Sequence, residues 1–129
     1  MDREQFRQLT EEVIACAYRV HSALGPGLLE SVYKACLEIE LREAGFQVSV
    51  EHPCPVFYKG KQVAEVGYRM DILVNNVLVL EIKSVDAIHP VHLAQLLSYL
   101  RLADKRLGLV LNFNTKSLVD GIKRVANKF

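Results

Sequence analysis

The sequence has 129 residues and a formal net charge of +1, and 50% of its residues are hydrophobic, 24% charged and 8% aromatic. This composition excludes disordered and fibrous chains and predicts one globular domain over residues 1–129. A domain of this length buries a core large enough to fold without a disulfide or a structural metal.

The three cysteines, Cys16, Cys36 and Cys54, are odd in number and have no C-x-x-C spacing. They exclude a disulfide framework, a zinc ribbon and a four-cysteine iron-sulfur site, so a reducing cytoplasm is the expected compartment. No apolar run is long enough to span a bilayer, and the charged start of the chain excludes a secretory signal. We therefore expect no membrane partner.

Positive charge is concentrated in the last part of the chain. Residues 1–51 carry five Lys and Arg against nine Asp and Glu, whereas residues 101–129 carry seven against two. If folding gathers these basic residues on one face, they can contact phosphates, and Lys116, Lys123 and Arg124 are the candidates for nucleic-acid binding. The alternative is an ordinary solvated basic surface.

Two helices open the chain. Apolar residues recur at three- and four-residue steps over residues 2–24, the period of a helix with one buried face. This helix begins either at Asp2, with a capping box, or at Thr10. The Gly-Pro-Gly at residues 25–27 ends it, and a second helix follows up to the terminating Gly45.

After Gly45, β-branched and aromatic residues alternate with turn formers, which predicts strands. Gly and Asn tolerate positive φ, so Lys59-Gly60-Lys61 and Asn75-Asn76 are the expected hairpin turns. The predicted strands cover residues 47–51, 56–59, 62–74 and 77–83.

A third helix, a strand and a last helix complete the chain. Pro90 suits the first turn of a helix that runs to about Ala103 with a face of leucines. Residues 107–113 are almost continuously apolar, which is typical of a strand covered on both faces, and residues 118–128 are expected to form a short basic helix. The order α-α-β-β-β-β-α-β-α predicts a mixed α/β sandwich in which the third helix is a parallel crossover.

The strand over residues 77–83 is apolar until it reaches Glu81 and Lys83. Side chains alternate along a strand, so these two charged side chains share one face. Burying either charge without a partner is costly, which indicates that another group compensates them. A surface ion pair at an exposed strand end is the alternative explanation.

Asp71 on the preceding strand supplies a second carboxylate, and the length of the loop decides whether it meets Glu81. A two-residue loop, Asn75-Asn76, would place the two carboxylates on opposite faces of the sheet. A three-residue loop that includes Val77 places Asp71 directly across from Glu81, with β-carbons about 5 Å apart. We predict the three-residue loop. A simple pairing of Asp71 with Arg69 is the alternative role for this carboxylate.

Asp71 is followed after nine residues by Glu81-Ile82-Lys83, and this pattern resembles that of the PD-(D/E)XK nuclease superfamily. Residues 27–33 read G-x-x-E-x-x-Y and are similar to the signature of small bacterial GxxExxY proteins, usually classed in that superfamily. The resemblance covers about residues 10–125 and implies a restriction-endonuclease-like mixed sheet flanked by helices. Met70 stands where the superfamily's name has proline, at a position that varies among members.

The resemblance also implies a divalent-metal site. Asp71 and Glu81 would hold Mg2+ or Mn2+, with the Ile82 carbonyl as a further ligand and Glu30 as an extra carboxylate from the second helix. Oxygen ligands suit such a hard cation. Lys83 would orient or help to deprotonate the attacking water and stabilise the transition state. For Glu30, the alternative is an ordinary first-turn charge paired with Lys34, four residues further along the helix.

Four further residues are candidate supports of this site. Gln95 and Tyr99 lie four residues apart on the third helix, opposite its leucines, as in exonuclease-like branches of the superfamily. Tyr33 ends the G-x-x-E-x-x-Y motif, and His21 precedes that motif. For Tyr33 and Gln95 the alternative is burial with ordinary backbone partners.

Three functions fit these expectations. The first is a metal-dependent nuclease that cuts DNA or RNA, with DNA favoured, and a homodimer would suit so small a domain on a duplex. The second is a non-catalytic nucleic-acid-binding module, and the third is a protein-interaction domain that keeps the fold. Intact Asp71, Glu81 and Lys83 favour the nuclease, because a lapsed site has no reason to retain buried charges.

Overall fold

The computed structural model of the chain describes residues 1–64 and 67–129. None of the described helices is both long and apolar enough to cross a membrane. The elements in chain order are α1 (Arg3–Leu24), α2 (Glu30–Glu43), β1 (Val48–Tyr58), β2 (Lys61–Val74), β3 (Leu78–Lys83), α3 (Pro90–Leu102), β4 (Leu107–Asn112), a short 3-10 turn (Leu118–Gly121) and β5 (Ile122–Ala126).

The strands of the described chain form one five-stranded sheet in the order β1-β2-β3-β4-β5. β3 and β4 are parallel, and the other neighbouring pairs are antiparallel. α3 connects the two parallel strands, so the predicted crossover is confirmed. This mixed α/β arrangement is consistent with the restriction-endonuclease-like fold expected from the sequence.

The helices cover both faces of the sheet. α1 and α2 pack on one face, where the larger apolar cluster contains Leu37 and Leu80. α3 packs on the other face, where a smaller cluster contains Val79 and Leu96. Because side chains alternate along β3, Glu81 lies on the same side as Val79, under α3.

α1 begins at the first of the two starts considered from the sequence. The Asp2 carboxylate accepts the backbone N–H of Gln5 at 2.8 Å, and the Gln5 side chain accepts the backbone N–H of Asp2 at 2.9 Å. This capping box satisfies two backbone donors that the first helical turn leaves free. Thr10 lies inside the helix.

The loop between β2 and β3 contains three residues, 75–77, as predicted. Its two asparagines have φ values of 51° and 59°, which asparagine tolerates better than most residues. Ile72 lies opposite Leu80 in the sheet. Continued by one residue, this register places Asp71 opposite Glu81, as the three-residue loop predicts.

β1 is one strand where the sequence predicts two, so three strands precede α3 rather than four. Pro53 and Pro55 interrupt the β-pattern of the sequence, but β1 is an edge strand, where a missing N–H is tolerated. The irregularity is local: the register shifts around Cys54, and Glu51 has a left-handed backbone with φ 53°. The strand therefore continues through a bulge instead of ending.

The prediction of a basic helix over residues 118–128 is wrong, because a short 3-10 turn and β5 occupy this segment. Gly121 is buried against β4, where an added Cβ would lie 2.1 Å from the carbonyl oxygen of Asn112. That approach directs the chain along β4, with which β5 pairs in antiparallel fashion. Lys123 and Arg124 are neighbours on a strand and point to opposite faces, so they do not form one basic helical face.

Candidate active site

Two carboxylates meet where β2 and β3 run side by side. Asp71 Oδ2 accepts the backbone N–H of Ile82 at 2.8 Å, and Glu81 Oε1 lies 3.4 Å from the backbone nitrogen of Asp71. Each carboxylate is therefore held by a backbone N–H of the neighbouring strand. Glu81 is only 6% exposed, whereas Asp71 is half-buried and lines an open cleft.

Asp71 and Glu81 form an acidic pair whose surroundings disfavour two negative charges. The pKa of Glu81 is raised to about 8, first by burial and then by the neighbouring Asp71 carboxylate, and Lys83 only partly offsets these effects. Two neighbouring carboxylates such as these can both ionise when a divalent cation lies beside them. The pair, with its oxygen donors, fits a hard divalent cation.

Lys83 ends β3 and is half-buried. Its carbonyl accepts the backbone N–H of Phe113 at 2.9 Å on the β4 side. Successive carbonyls of a strand point in opposite directions, so the Ile82 carbonyl points towards β2 and Asp71. Within the described residues no ion pair joins Lys83 to Glu81, which leaves the ammonium group free to act on another group.

The two ion pairs predicted as alternatives from the sequence, Asp71 with Arg69 and Glu30 with Lys34, are not formed among the described residues. Arg69 donates to the carbonyl oxygen of Glu51 at 3.3 Å and makes no ion pair with Asp71 in the described part of the chain. Lys34 pairs with the Glu51 carboxylate rather than with Glu30. Neither Asp71 nor Glu30 is therefore explained by a neighbouring cation.

Tyr33 fixes the loop that carries the G-x-x-E-x-x-Y motif. Its hydroxyl donates to the carbonyl of Gly25 at 2.6 Å and accepts the backbone N–H of Leu28 at 3.1 Å. The ring is fully buried and stacks on Phe113, with centroids 4.7 Å apart. Tyr33 is thus the buried residue with backbone partners that we considered as the alternative, and it holds the loop that leads to Glu30 at the start of α2.

Glu30 begins α2 and reaches the end of β3. Its Oε2 accepts the backbone N–H of Ser84 at 3.3 Å, while the Ser84 hydroxyl donates to the carbonyl of Leu28 at 2.6 Å. Glu30 lines the same cleft as Asp71 and Ile82, with a volume of about 310 Å³. In the residues that the structure describes, no three His, Cys, Asp or Glu side chains are close enough to hold one metal ion, so Glu30 does not join the acidic pair directly.

The two candidate residues on α3 have different environments. Tyr99 is buried beside Leu96 and Leu100, so the prediction that it lies opposite the leucines is wrong. The pKa of Tyr99 is raised to about 12, first by burial and then by the negative charge of Glu81. Gln95 is exposed. The buried face of a helix can span more than 100°, so the buried face of α3 is wide enough to contain both Tyr99 and the leucines.

The loop after β4 contains Lys116 and is contacted by His21 of α1. His21 Nε2 lies 2.8 Å from the carbonyl oxygen of Thr115, so the histidine supports this loop from α1. Lys116 follows in the same loop and is exposed. The structure thus places His21 against the loop rather than against the acidic pair.

Asn112 is a buried polar residue that the sequence analysis missed. It is 2% exposed, its amide donates to the Val85 carbonyl at 3.0 Å, and its Oδ1 accepts the Val85 N–H at 3.1 Å. This reciprocal bond fixes the chain just after Lys83. An asparagine at the end of an otherwise apolar strand was the signal that could have revealed it.

A family model described as the PD-(D/E)XK nuclease superfamily matches residues 7–125. The matched region contains the acidic pair, Lys83, Glu30, most of α1 and the whole of α2 and α3. No curated protein and no solved structure was found to match the chain. Because the family model covers most of the sequence, the chain belongs to the PD-(D/E)XK nuclease superfamily.

Proposed function

We propose that this protein is a divalent-metal-dependent nuclease that hydrolyses phosphodiester bonds of nucleic acid. The observation that carries the proposal is the alignment of Asp71 with Glu81 across β2 and β3, with Lys83 on the same face of the sheet. Membership of a nuclease superfamily supports the reaction class. We also assign the chain to the GxxExxY group on the sequence of residues 27–33, and we propose that residues 1–129 act as one nuclease-like domain.

Asp71, Glu81 and the Ile82 carbonyl would hold Mg2+ or Mn2+, with Glu30 oriented towards the same cleft. A bound divalent cation supplies positive charge to the phosphodiester and makes a bound water more acidic. The backbone donors of Ile82 and Asp71 keep the two carboxylates in place before substrate arrives. Tyr99 is buried on the α3 face of the sheet, to which Glu81 also belongs.

Lys83 would act on the attacking water and on the negative charge that develops at phosphorus. It lies two residues after Glu81 on the same face, and no resident ion pair occupies it in the described chain. As an ammonium group, Lys83 would orient the water or donate to a phosphate oxygen, and only as the neutral amine would it accept a proton from the water. These roles make Lys83 the catalytic cation of the proposed site.

DNA is the substrate we favour over RNA, and Lys116, Lys123 and Arg124 are proposed to contact its backbone. Lys123 and Arg124 lie on opposite faces of β5, so they would contact different parts of a nucleic acid. A homodimer would enlarge the contact surface of this small chain. The three free cysteines support a reducing compartment, and we propose the cytoplasm.

Cleavage of labelled nucleic acids tests this proposal. Single-stranded, duplex and branched DNA and RNA are incubated with Mg2+, Mn2+ or EDTA, and wild type is compared with Glu81→Gln and with Glu43→Gln, an exposed carboxylate outside the cleft. We expect metal-dependent cleavage by wild type and Glu43→Gln and none by Glu81→Gln. Equal binding of nucleic acid by all three proteins without cleavage would instead identify a non-catalytic binding module, and neither binding nor cleavage would favour an interaction domain.

A further inference from the structure

Lys34 and Glu51 form an ion pair at the wall of the active-site cleft. The ammonium group of Lys34, on α2, contacts the Glu51 carboxylate on β1. Both residues line the cleft together with Glu30, Asp71 and Ile82. The pair therefore lies beside the proposed metal ligands, although neither residue belongs to the D-E-x-K or G-x-x-E-x-x-Y pattern.

The backbone at Glu51 is what brings its carboxylate to Lys34. The register places Val50 opposite Ile72 and His52 opposite Met70, so an extended Glu51 would lie directly across from Asp71. Glu51 instead has φ 53°, a left-handed conformation that costs a non-glycine residue about 1–2 kcal/mol.

Stability alone is a weak reason for this arrangement. The side chain of Glu51 is 45% exposed and that of Lys34 is 23% exposed. Ion pairs with this degree of exposure contribute about 0–1 kcal/mol, which does not exceed the strain at Glu51. Strained backbone that stability does not explain is typical of functional positions.

The charges of the cleft indicate what Lys34 can bind. Three carboxylates, those of Glu30, Glu51 and Asp71, line the cleft, and Lys34 is the one cation among its described lining residues. A phosphodiester that enters such a cleft meets negative charge and needs a cation on the protein side. A lysine ammonium is a compact point charge that suits a phosphate oxygen.

We propose that Lys34 binds a backbone phosphate of the nucleic-acid substrate and that Glu51 is its resident counter-ion, which the phosphate displaces. The inference rests on the proposed function for the identity of the substrate. It assigns opposite effects to the two partners: Lys34 favours substrate binding, and Glu51 opposes it by occupying Lys34. Glu51 thereby excludes anions that are too weak to displace it.

Binding measurements with Lys34→Met, Lys34→Arg and Glu51→Gln test this assignment. The probes are fluorescein-labelled single-stranded and duplex DNA, titrated in EDTA and in Ca2+ at several salt concentrations. The matched control is Lys105→Met, which removes a lysine in the loop after α3, bonded to Asn76 outside the cleft. Thermal unfolding of each variant establishes that it is folded.

We expect Lys34→Met to weaken binding about 3- to 10-fold and to lower the slope of log affinity against log salt by about 1, whereas Lys34→Arg retains the wild-type slope. Glu51→Gln is expected to tighten binding about 2- to 5-fold, because it releases Lys34. Lys105→Met should change the affinity less than Lys34→Met.

Three outcomes separate this inference from the proposed function. If wild type cleaves DNA but Lys34→Met binds with unchanged affinity and salt slope, the inference is overturned and the nuclease stands. If Lys34→Met and Glu51→Gln weaken binding together, the pair is a structural brace and the inference also fails. If the variants shift binding in opposite directions while no cleavage occurs with any metal, Lys34 keeps its assignment and the nuclease proposal fails.

Discussion

The two faces of the sheet bury different kinds of side chain. On the α1/α2 face the buried cluster consists of apolar side chains, with the tyrosine ring of Tyr33 stacked on Phe113. On the α3 face the smaller cluster includes Cys54 and Tyr99 and adjoins the buried carboxylate of Glu81. The α1/α2 face supplies stability, and the α3 face can then accommodate a carboxyl group whose burial in the charged form is unfavourable.

The largest expected effect separates catalysis on the α3 face from folding. Lys83→Ala should lower the cleavage rate by a factor of about 10²–10⁴, since Lys83 acts on the attacking water, while thermal stability and metal binding stay close to wild type. Single-turnover cleavage, calorimetric metal titration and thermal unfolding measure the three properties. Normal cleavage by Lys83→Ala would show that the assigned role is wrong.

The stability of the α1/α2 face can be tested by truncating Leu37, which is fully buried on α2. Leu37→Ala should reduce the free energy of unfolding by about 2–5 kcal/mol, because it removes buried methyl groups and leaves a cavity. Ile39→Ala on the same helix is the control, since Ile39 is 57% exposed. Urea denaturation compares them, and an equal loss for both variants would contradict the contribution of the buried α1/α2 face to stability.

The acidic pair should destabilise the metal-free protein in a defined pH range. The folded pKa of Glu81, about 8, lies above its ordinary value of 4.5, so this group favours folding most below about pH 4.5 and that contribution declines as the pH rises towards 8. Glu81→Gln should remove this decline and raise stability at about pH 8–9 by roughly 1–3 kcal/mol in EDTA.

The corresponding measurement is the unfolding temperature in EDTA as a function of pH for wild type and Glu81→Gln. Mg2+ added at high pH should raise the unfolding temperature of wild type more than that of the variant, because a ligand stabilises the folded state that binds it. If the unfolding temperatures of the two proteins changed with pH in parallel, the charge of Glu81 would not destabilise the fold and the prediction would be wrong.

The smallest expected effect concerns the hydroxyl of Tyr33. Tyr33→Phe keeps the ring on Phe113 but removes the bonds to Gly25 and Leu28, so stability should fall by about 1–2 kcal/mol. If the loop positions Glu30, the variant should also bind Mg2+ more weakly than wild type does. Metal titration and urea denaturation are the measurements, and an unchanged metal affinity would limit Tyr33 to a role in stability.

The sequence was most informative where a local turn determines the structure. The register that aligns Asp71 with Glu81 follows from three loop residues, and the strand ending at Lys83 follows from its apolar run. Gly121 shows the opposite case: its close approach to Asn112 is a contact with a distant strand, and it turns an expected helix into β5. The secondary-structure propensity of residues 118–128 does not include the effect of that contact.

Contacts between side chains on different helices and strands could not be predicted from the sequence either. The contact of Lys34 with Glu51 depends on a left-handed residue in a bulged strand, and i,i+4 spacing predicted a partner for Lys34 within α2 instead. The position of Tyr99 depends on how α3 is rotated over the sheet. Sequence periodicity gives only the width of the buried face of α3, which does not decide whether Tyr99 is inside or outside it.

The short loop over residues 75–77 also has a consequence for the order of events during folding. Contacts within a hairpin close small loops and form quickly, whereas the β3–β4 pairing requires the whole α3 crossover to be in place. Asp71 and Glu81 can therefore be brought together while both are still hydrated, and their desolvation waits for α3 to dock. We expect the docking step, rather than hairpin formation, to slow as the pH rises, so that refolding kinetics would report the charge on a residue that the finished fold conceals.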